Sequence, residues 1–444
     1  MSGRLLQSAR NALDGLSALS GAPRHVGSVT AYDGQMIEVE AFPLPIGSAC
    51  RMVMADGSTV RGQLVGFRGT QSLVVPFRQD AAFVMHGPVY PDGKGSFAEV
   101  GDDLLGRVID AHGSPLDGRS NPKARLLWPL AGRNANPLDT GRVTQALETG
   151  VRAIDTLLTL GEGQRVALVA GSGVGKSVLM GQILHGLKAD VYVIGLIGER
   201  SREVRDFVET KLPDSRRNKT VVVAVPADFP AQLRLRAAYR ATAIAEFFRN
   251  KGLRVVLMID SLTRIAHAQR EIGLALGEPP TMKGYPPSAL AMIPRLIERG
   301  GIDTVRGGSI TALYTVLADG GDTNDPVVDT ARAITDGHII LSRQMAEQGI
   351  YPAIDISKSL SRTMSDTVDD EHLSAAMRFR RLWSVYEDNR DLLLIGGYTK
   401  GQDAEVDAAI STYPEMCAFI SQYQQNSFNF AESRAYLTRV FRHG

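Results

Sequence analysis

The spacing of hydrophobic residues changes at three places along the chain, which predicts four segments of different structure. In the first segment, residues 1–23, apolar side chains recur every three or four positions, the period of one helical face. They are Leu5, Leu6, Ala9, Leu13 and Leu16. Gly21 and Pro23 then end the predicted helix. Such a helix packs on its own chain or docks on a partner or a membrane surface.

The second segment, residues 24–92, consists of short stretches rich in β-branched and apolar residues. Turn signals separate these stretches at Asp33-Gly34, Asp56-Gly57 and Gly69. Strands this short and this regularly spaced are typical of a small antiparallel β-barrel. The predicted strands are 26–29, 36–41, 50–54, 59–67 and 72–75.

In the third segment, residues 93–365, uninterrupted apolar stretches alternate with helical patterns. A strand that is apolar on both faces must be covered on both, which predicts a parallel sheet between layers of helices. The fourth segment, residues 366–444, loses the strand signal and is predicted as a C-terminal helical domain, with helices at 371–390 and 403–441. The predicted fold class is therefore α/β, and the strands of the sheet are 165–170, 191–197, 220–225, 254–259, 309–317 and 337–341.

Composition and charge exclude several classes of protein. The 444 residues are 44% hydrophobic and 22% charged, which is ordinary for a globular protein. The excess of Lys and Arg over Asp and Glu is 49 − 48 = +1, so no overall charge points to a nucleic acid or an anionic membrane. The two cysteines are far apart and the histidines do not cluster, which argues against a disulfide framework or a structural metal site. Without an apolar run of spanning length or a secretory signal, we expect a cytoplasmic protein.

The strongest chemical signal is a glycine-rich loop between a predicted strand and a predicted helix. Glycines allow successive backbone N–H groups to converge on phosphate oxygens, and the following helix adds the partial positive charge of its N-terminus. Lys176 would reach the β- and γ-phosphates, and the Ser177 hydroxyl would bind Mg²⁺. Ala170 replaces the usual first glycine at the end of the strand, where a methyl group is tolerable. The predicted phosphate-binding residues are Ala170, Gly171, Ser172, Gly173, Val174, Gly175, Lys176 and Ser177.

Carboxylates that follow two other predicted strands are candidates for completing the site. Asp260 ends an apolar strand, and in a parallel sheet it projects beside the phosphate loop, where it would orient Mg²⁺ through its water shell. Glu199 and Arg200 follow the strand at 191–197. Glu199 is a candidate base for the water that attacks the γ-phosphorus, with a surface salt bridge as the alternative. Arg200 would contact phosphate or hold Glu199 in place, and Glu203 would join the outer shell of the metal.

Four stretches in this order resemble the α/β subunit family of rotary ATP synthases. They are the loop at 170–177, GER at 198–200, LMID at 257–260 and PAIDISKSLS at 352–361. The last looks like the signature shared by the α and β subunits, and the similarity runs from about residue 24 to the C-terminus. Within the family, YPPS at 285–288 and DGHIILSR at 336–343 most resemble the type III secretion ATPases, particularly the flagellar export ATPases.

The resemblance implies a RecA-type P-loop nucleotide domain between the barrel and the helical domain, and a homohexameric ring that binds ATP and Mg²⁺ between neighbours. Tyr351 matches the aromatic residue that packs on adenine, with a core tyrosine as the alternative. Arg362 matches the arginine finger that reaches into the next subunit's site, with an ion pair to Asp366 as the alternative. The remaining motif residues take the roles argued above: Lys176, Glu199 and Arg200 in catalysis, and Ser177, Glu203 and Asp260 at the metal.

The function implied is ATP hydrolysis that helps release, unfold and export flagellar proteins and their chaperones at an export gate. The resemblance also implies peripheral binding at the inner face of the cytoplasmic membrane, a regulatory partner at residues 1–23 and a coiled-coil stalk protein at the turn 395–401. A virulence-type secretion ATPase with the same chemistry is the alternative. A nucleic-acid translocase is disfavoured because residues 24–92 contain only five Lys or Arg. A non-catalytic nucleotide-binding subunit is disfavoured because such subunits typically lack the carboxylate at Glu199.

Overall fold

The structure is a computed structural model that describes residues 26–78, 81–133, 136–318, 322 and 324–441. The amphipathic helix predicted within residues 1–23 lies outside the described residues. The chain divides into two compact units, one that ends at Ser96 and one that begins at Phe97. The sequence pattern places this boundary slightly earlier, between residues 92 and 93.

The first unit is a closed barrel of six antiparallel strands, which confirms the predicted barrel. Its strands are β1 Gly27–Tyr32, β2 Ile37–Glu40, β3 Ala49–Val53, β4 Thr59–Arg68, β5 Gln71–Pro76 and β6 Pro88–Asp92. They follow each other around the barrel in the order β1-β2-β5-β4-β3-β6. In β2, Ile37 and Val39 are buried and Glu40 is exposed, because successive side chains of a strand point to opposite faces.

The strand that closes the barrel, β6, is absent from the strands predicted from sequence. Its residues include Pro88 and Pro91, and proline lowers the strand signal because it has no N–H to donate to a neighbouring strand. Val89 nevertheless pairs with Gly27 of β1 on one side and with Met52 of β3 on the other, and it is fully buried. Pairing between residues distant in sequence therefore decides this strand.

The second unit is built around a nine-stranded sheet. Its strands are β8 Arg107–Ile109, β12 Arg165–Ala170, β13 Val191–Ile197, β14 Thr220–Val225, β15 Arg254–Asp260, β16 Gly301–Asp303, β17 Gly308–Leu317, β18 Gly337–Ile340 and β19 Leu360–Ser361. The order across the sheet is β19-β18-β12-β17-β15-β13-β14-β8, with β16 beside β17. Only β16 and β19 run antiparallel to their neighbours, so the predicted parallel sheet is confirmed. Two small antiparallel pairs complete the strands: β7 Phe97–Val100 with β9 Leu126–Pro129, and β10 Ala146–Leu147 with β11 Leu160–Gly161.

Helices cover the sheet, and the buried helix Ala231–Arg249 packs on its central strands. The α-helices that precede residue 370 are Arg152–Leu157, Lys176–Gly186, Ser201–Asp206, Asp214–Arg217, Ala231–Arg249, Leu262–Ala275, Pro287–Ile297, Pro326–Ile334, Arg343–Glu347 and Met364–Thr367. A π-helix spans Phe207–Lys211, and 3-10 turns lie at Asp102–Leu104, Pro137–Asp139 and Met282–Gly284. Across the described ranges, no helix combines the length and the apolar character that crossing a membrane requires.

The C-terminal part is helical, as predicted, with helices Asp370–Leu394, Ala404–Ile420 and Phe430–Phe441. The single helix predicted over 403–441 is wrong, because the chain leaves the helix after Ile420 and resumes it only at Phe430. Between them, the N–H of Gln422 donates to the carbonyl of Tyr351 (2.6 Å) and the N–H of Phe428 to the carbonyl of Gly150 (3.1 Å). These bonds to distant residues replace bonds within a helix.

Candidate active site

The glycine-rich loop connects β12 to the helix Lys176–Gly186, at the carboxyl edge of the sheet. Gly173 and Gly175 have φ values of +79° and +93°, a conformation that residues with a Cβ rarely adopt. Lys176 begins the helix, so the loop presents a helix N-terminus together with its backbone N–H groups. Ala170 is buried in β12, where its carbonyl accepts from the N–H of Ala318 (3.0 Å), and it does not line the cavity described below.

Three charged side chains meet at this edge. The Lys176 ammonium lies 2.5 Å from Oδ1 of Asp260 and 3.5 Å from Oε1 of Glu199. All three are largely shielded from water, with 12%, 6% and 11% of their side chains exposed, so charge interactions among them are stronger than on the surface. The hydroxyl of Thr315, on the neighbouring strand β17, donates to the same Asp260 oxygen (2.5 Å) and holds the carboxylate in place. The carboxyl ends of parallel strands thus bring the predicted residues together.

Glu199 lies in an environment that favours its protonated form. Burial raises the pKa of its carboxyl above the ordinary value. A hydrogen bond with Glu203 and that residue's negative charge raise the pKa further, whereas Lys176 and Arg264 lower it. A base whose pKa lies closer to neutrality accepts a proton more readily, so this environment suits general-base chemistry.

Two cavities border the loop, an apolar one of about 510 Å³ and a polar one of about 530 Å³. Together they could hold the two halves of a nucleotide. The polar cavity contains the charged centre and is lined, among others, by Gly171, Ser172, Gly173, Gly175, Lys176, Ser177, Glu199, Arg200, Glu203, Asp260 and Arg264. The more apolar cavity is lined by Val174, Gly175, Val178, Leu179, Gln182, Leu341, Gly349, Tyr351, Pro352, Ala353 and residues 421–424.

Tyr351 is 44% exposed and therefore is not a core residue. A Cβ placed on Gly175 would lie 3.7 Å from its ring, so the ring borders the phosphate loop.

Sequence reasoning missed three contributors to the site. Thr315 is one of several apolar or hydroxyl residues in β17, and nothing in its own sequence indicates that it faces Asp260. Arg264 lies in the first turn of the helix Leu262–Ala275, which begins just after Asp260, and this closeness in sequence could have suggested a shared edge. Its Nε–H is buried without a hydrogen-bond partner among the described residues, and a Cβ on Gly198 would lie 2.8 Å from its Cβ. The segment 421–424 was predicted to be helical.

Arg362 lies away from both cavities of its own chain. It follows β19 at the edge of the sheet, it is exposed, and its guanidinium donates to the carbonyl of Arg332 (3.3 Å). It forms no ion pair with Asp366, which is also among the described residues. The ion pair between Arg362 and Asp366, which the sequence left as the alternative, is therefore not present in this structure.

Family models match two parts of the chain. The nucleotide-binding domain of the ATP synthase alpha/beta family matches residues 150–361. The T3SS EscN ATPase C-terminal domain matches residues 368–439. Together they span the site and the helical region.

Relatives of known annotation match nearly the whole chain. The flagellum-specific ATP synthase of Pseudomonas aeruginosa is 44% identical over 430 residues, 96% of this chain and 95% of the relative. The type 3 secretion system ATPase of Xanthomonas euvesicatoria is 43% identical over 418 residues, 94% of either chain.

Two solved structures of EscN from enteropathogenic E. coli, each 39% identical, cover 94% of this chain and are themselves covered completely. The assembled ATPase EscN matches with a TM-score of 0.88, and EscN in complex with its central stalk EscO matches with a TM-score of 0.84. The identity, coverage and shared fold agree with the phosphate loop and charged centre described above. The chain therefore belongs to the ATP synthase alpha/beta family, in its branch of flagellum-specific ATP synthases and type III secretion ATPases, and it is an ATPase.

Proposed function

We propose that the polar cavity binds the triphosphate of Mg²⁺-ATP and that Glu199 acts as the base in its hydrolysis. The observation that carries the proposal is a buried carboxylate with a raised pKa, 3.5 Å from the lysine of a phosphate loop. Glu199 orients a water for in-line attack on the γ-phosphorus and accepts its proton. The new P–O bond forms as the bond to the β-phosphate oxygen breaks, and ADP and phosphate are released.

The donors around the cavity suit Mg²⁺. The Ser177 hydroxyl and the carboxylates of Asp260 and Glu203 line it, and all supply the hard oxygen atoms that this ion prefers. Mg²⁺ keeps several waters and takes further oxygens from phosphates, so one or two protein ligands suffice. Ser177 would hold the ion directly, and Asp260 and Glu203 would act through its water shell. When bound, the ion would neutralise charge on the β- and γ-phosphates.

The cationic side chains of this chain stabilise the charge that develops during transfer. Lys176 would contact the β- and γ-phosphates, because it starts the helix that follows the loop. Arg200 and Arg264 line the same cavity, and the Nε–H of Arg264, which has no partner in the described part of the chain, is available to a phosphate oxygen. Tyr351 would pack on the adenine in the second cavity.

We further propose that the active form is a homohexamer in which Arg362 of one subunit completes the site of its neighbour. The exposure of Arg362 and its separation from the cavities of its own chain support this assignment. EscN, whose structure is similar to this chain over its whole length, is described as an assembled ATPase. An arginine supplied in trans would make hydrolysis depend on assembly.

For this ring we propose a role in flagellar type III protein export, with substrates and chaperones delivered to an export gate at the cytoplasmic face of the membrane. The identity to the flagellar relative supports it, and the similar identity to a type 3 secretion ATPase keeps the virulence-type role as the second candidate. Deleting the gene in its host should abolish filament assembly. Normal filaments with lost effector secretion would favour the second role.

The turn after the helix Asp370–Leu394 is the proposed contact for a coiled-coil stalk protein. Leu394 and Ile395, at the end of that helix, are 75% and 80% exposed, which leaves apolar surface at the turn. EscN has been solved with its central stalk EscO, which supports a partner of that kind. Residues 1–23 are the proposed docking segment for a regulatory protein.

The proposed function is tested by measuring ATPase activity and oligomeric state at the same protein concentrations. We expect the rate per chain to rise in proportion to the fraction of chains in rings, because Arg362 reaches a site only after assembly. Mass photometry gives that fraction at each concentration. Full activity in a sample that consists of monomers would contradict the shared site.

The pH dependence of hydrolysis tests the environment of Glu199. The base must be ionised, so kcat/KM should fall as the pH drops through its raised pKa. Glu203→Gln removes a like charge that raises the pKa of Glu199, so the acid limb should move to lower pH. Glu209→Gln, at an exposed carboxylate paired with Arg205, should leave the limb in place. An unmoved limb in Glu203→Gln would show that Glu203 does not set this pKa.

A further inference from the structure

The segment 421–424, here called the roof segment, forms one wall of the apolar cavity. It is the first part of the connection between the helices Ala404–Ile420 and Phe430–Phe441, and it lines the cavity together with Tyr351. The N–H of Gln422 donates to the Tyr351 carbonyl (2.6 Å), which ties the roof segment to the residue proposed to pack on adenine. The carbonyl of Tyr423 accepts from the side chain of Gln182, on the phosphate-loop helix (3.3 Å).

The side-chain amide of Gln422 is fully occupied by hydrogen bonds within the chain. The residue is 5% exposed, and both N–H groups and the oxygen of the amide are used within the chain. Nε2 donates to the carbonyls of Gly150 and Asn426 (both 2.7 Å), and Oε1 accepts from the N–H of Arg152 (3.0 Å). One amide therefore joins the roof segment to a stretch of chain about 270 residues earlier.

That stretch, residues 149–152, is held rigidly. The buried carboxylate of Asp155 accepts from the N–H (2.8 Å) and the hydroxyl (2.7 Å) of Thr149 and from the N–H of Gly150 (3.0 Å). The stretch 149–152 also packs against the end of the phosphate-loop helix, since a Cβ on Gly186 would come within 1.8 Å of the Thr149 carbonyl oxygen. The residues that bind the Gln422 amide therefore pack directly against the helix that follows the phosphate loop.

We propose that Gln422 is a positioning residue for the nucleoside half of the nucleotide: its amide holds the roof segment against Tyr351 and so sets the affinity for a purine nucleotide. This role rests on the proposed binding of ATP across the two cavities. The phosphate half of the site makes no contact with Gln422, which lines only the apolar cavity. Gln422 therefore affects how tightly the base is held and leaves the chemistry at the γ-phosphate to Glu199 and its neighbours.

The test compares a ligand that uses both cavities with one that uses only the polar cavity. Gln422→Met keeps the length of the side chain and removes all three side-chain hydrogen bonds. Because the lost bonds leave buried groups unpaired, and part of that cost is transmitted to the ligand, we expect Kd for ADP to rise roughly 10- to 100-fold. Kd for tripolyphosphate should change little. The KM for ATP should rise likewise, while kcat at saturation is largely kept.

A matched control is Gln164→Met. Gln164 is another buried glutamine that makes three side-chain hydrogen bonds, to Gly161, Asp336 and Ser361, and it lines neither cavity. It should lower the melting temperature without weakening ADP binding. Unchanged ADP affinity in Gln422→Met would overturn the proposal, and so would an equal loss of affinity for ADP and tripolyphosphate. A wild-type chain that binds no ADP would instead refute the proposed function.

A measurement on the wild-type chain covers the case in which Gln422→Met does not fold. Hydrogen exchange is followed in the peptide that contains residues 421–426, with ADP, with tripolyphosphate or with neither. We expect ADP to slow exchange there and tripolyphosphate to leave it unchanged, because only a nucleoside contacts the roof segment. Equal exchange in all three samples would overturn the proposal.

Discussion

Glu199→Gln is expected to lower kcat for ATP hydrolysis by about 10²–10⁴-fold while the nucleotide still binds. The substitution keeps the size of the side chain and removes the group that accepts the proton of the attacking water. It also removes a negative charge 3.5 Å from the Lys176 ammonium. That ammonium is then less neutralised, so the affinity for ATP should be unchanged or higher. Single-turnover hydrolysis and equilibrium binding of ATP measure the two effects separately.

The matched control for this substitution is Glu209→Gln. Glu209 is an exposed glutamate in the π-helix that follows, paired with Arg205 (2.8 Å) outside the charged centre. Its loss should leave both kcat and affinity close to wild type, because exposed pairs of this kind contribute little. If Glu199→Gln hydrolyses ATP at a rate near wild type, Glu199 is not the base, and the raised pKa of its carboxyl has only a structural cause.

The second large effect is expected from Arg362→Ala, which should lower kcat by about 10³–10⁵-fold in homogeneous rings. The guanidinium is exposed at the edge of the sheet and rests on the carbonyl of Arg332. Its removal therefore costs no buried ion pair, and the melting temperature should stay close to wild type. Arg362→Lys should restore little, since lysine lacks the planar fork that binds two phosphate oxygens at once.

Mixed rings decide whether Arg362 acts in the next subunit. Arg362→Ala chains keep an intact phosphate loop, and Lys176→Ala chains keep an intact Arg362. Mixing the two inactive variants should restore activity, because some sites then combine a working loop with a neighbour's arginine. Arg381→Ala, at an exposed arginine paired with Glu405, serves as an active control. Mixtures that stay as inactive as either variant alone would contradict an arginine supplied in trans.

Local chemistry explains why much of this protein is readable from its sequence. The phosphate loop needs glycines at φ values of +79° and +93° next to a strand and a helix, and all of these signals lie within a few residues of one another. The six predicted strands of the parallel sheet are mostly apolar, and that requirement is also local to each strand. Asp260 and Glu199 were predicted at one edge because parallel strands place their carboxyl ends together.

Tertiary structure decided the features that depend on pairing between distant residues. The strand Pro88–Asp92 closes the barrel although its prolines weaken any local strand signal. Thr315 holds Asp260 only because β17 and β15 are neighbours, an order that no stretch of sequence encodes alone. Likewise, the helix predicted over 403–441 is interrupted because Gln422 bonds to Gly150, Arg152 and Tyr351, which lie far away in the chain.

The sequence by itself therefore determined the kind of fold, the phosphate loop and the carboxylates beside it, since each depends on the chemistry of a short segment. The three-dimensional structure alone decided how these groups interact: the contact of Lys176 with two carboxylates, the raised pKa of Glu199, and the closure of the apolar cavity by the roof segment. The physical reason is that burial, charge separation and hydrogen bonding between distant residues are properties of the folded chain, and they arise only when the sheet brings separate strands to one edge.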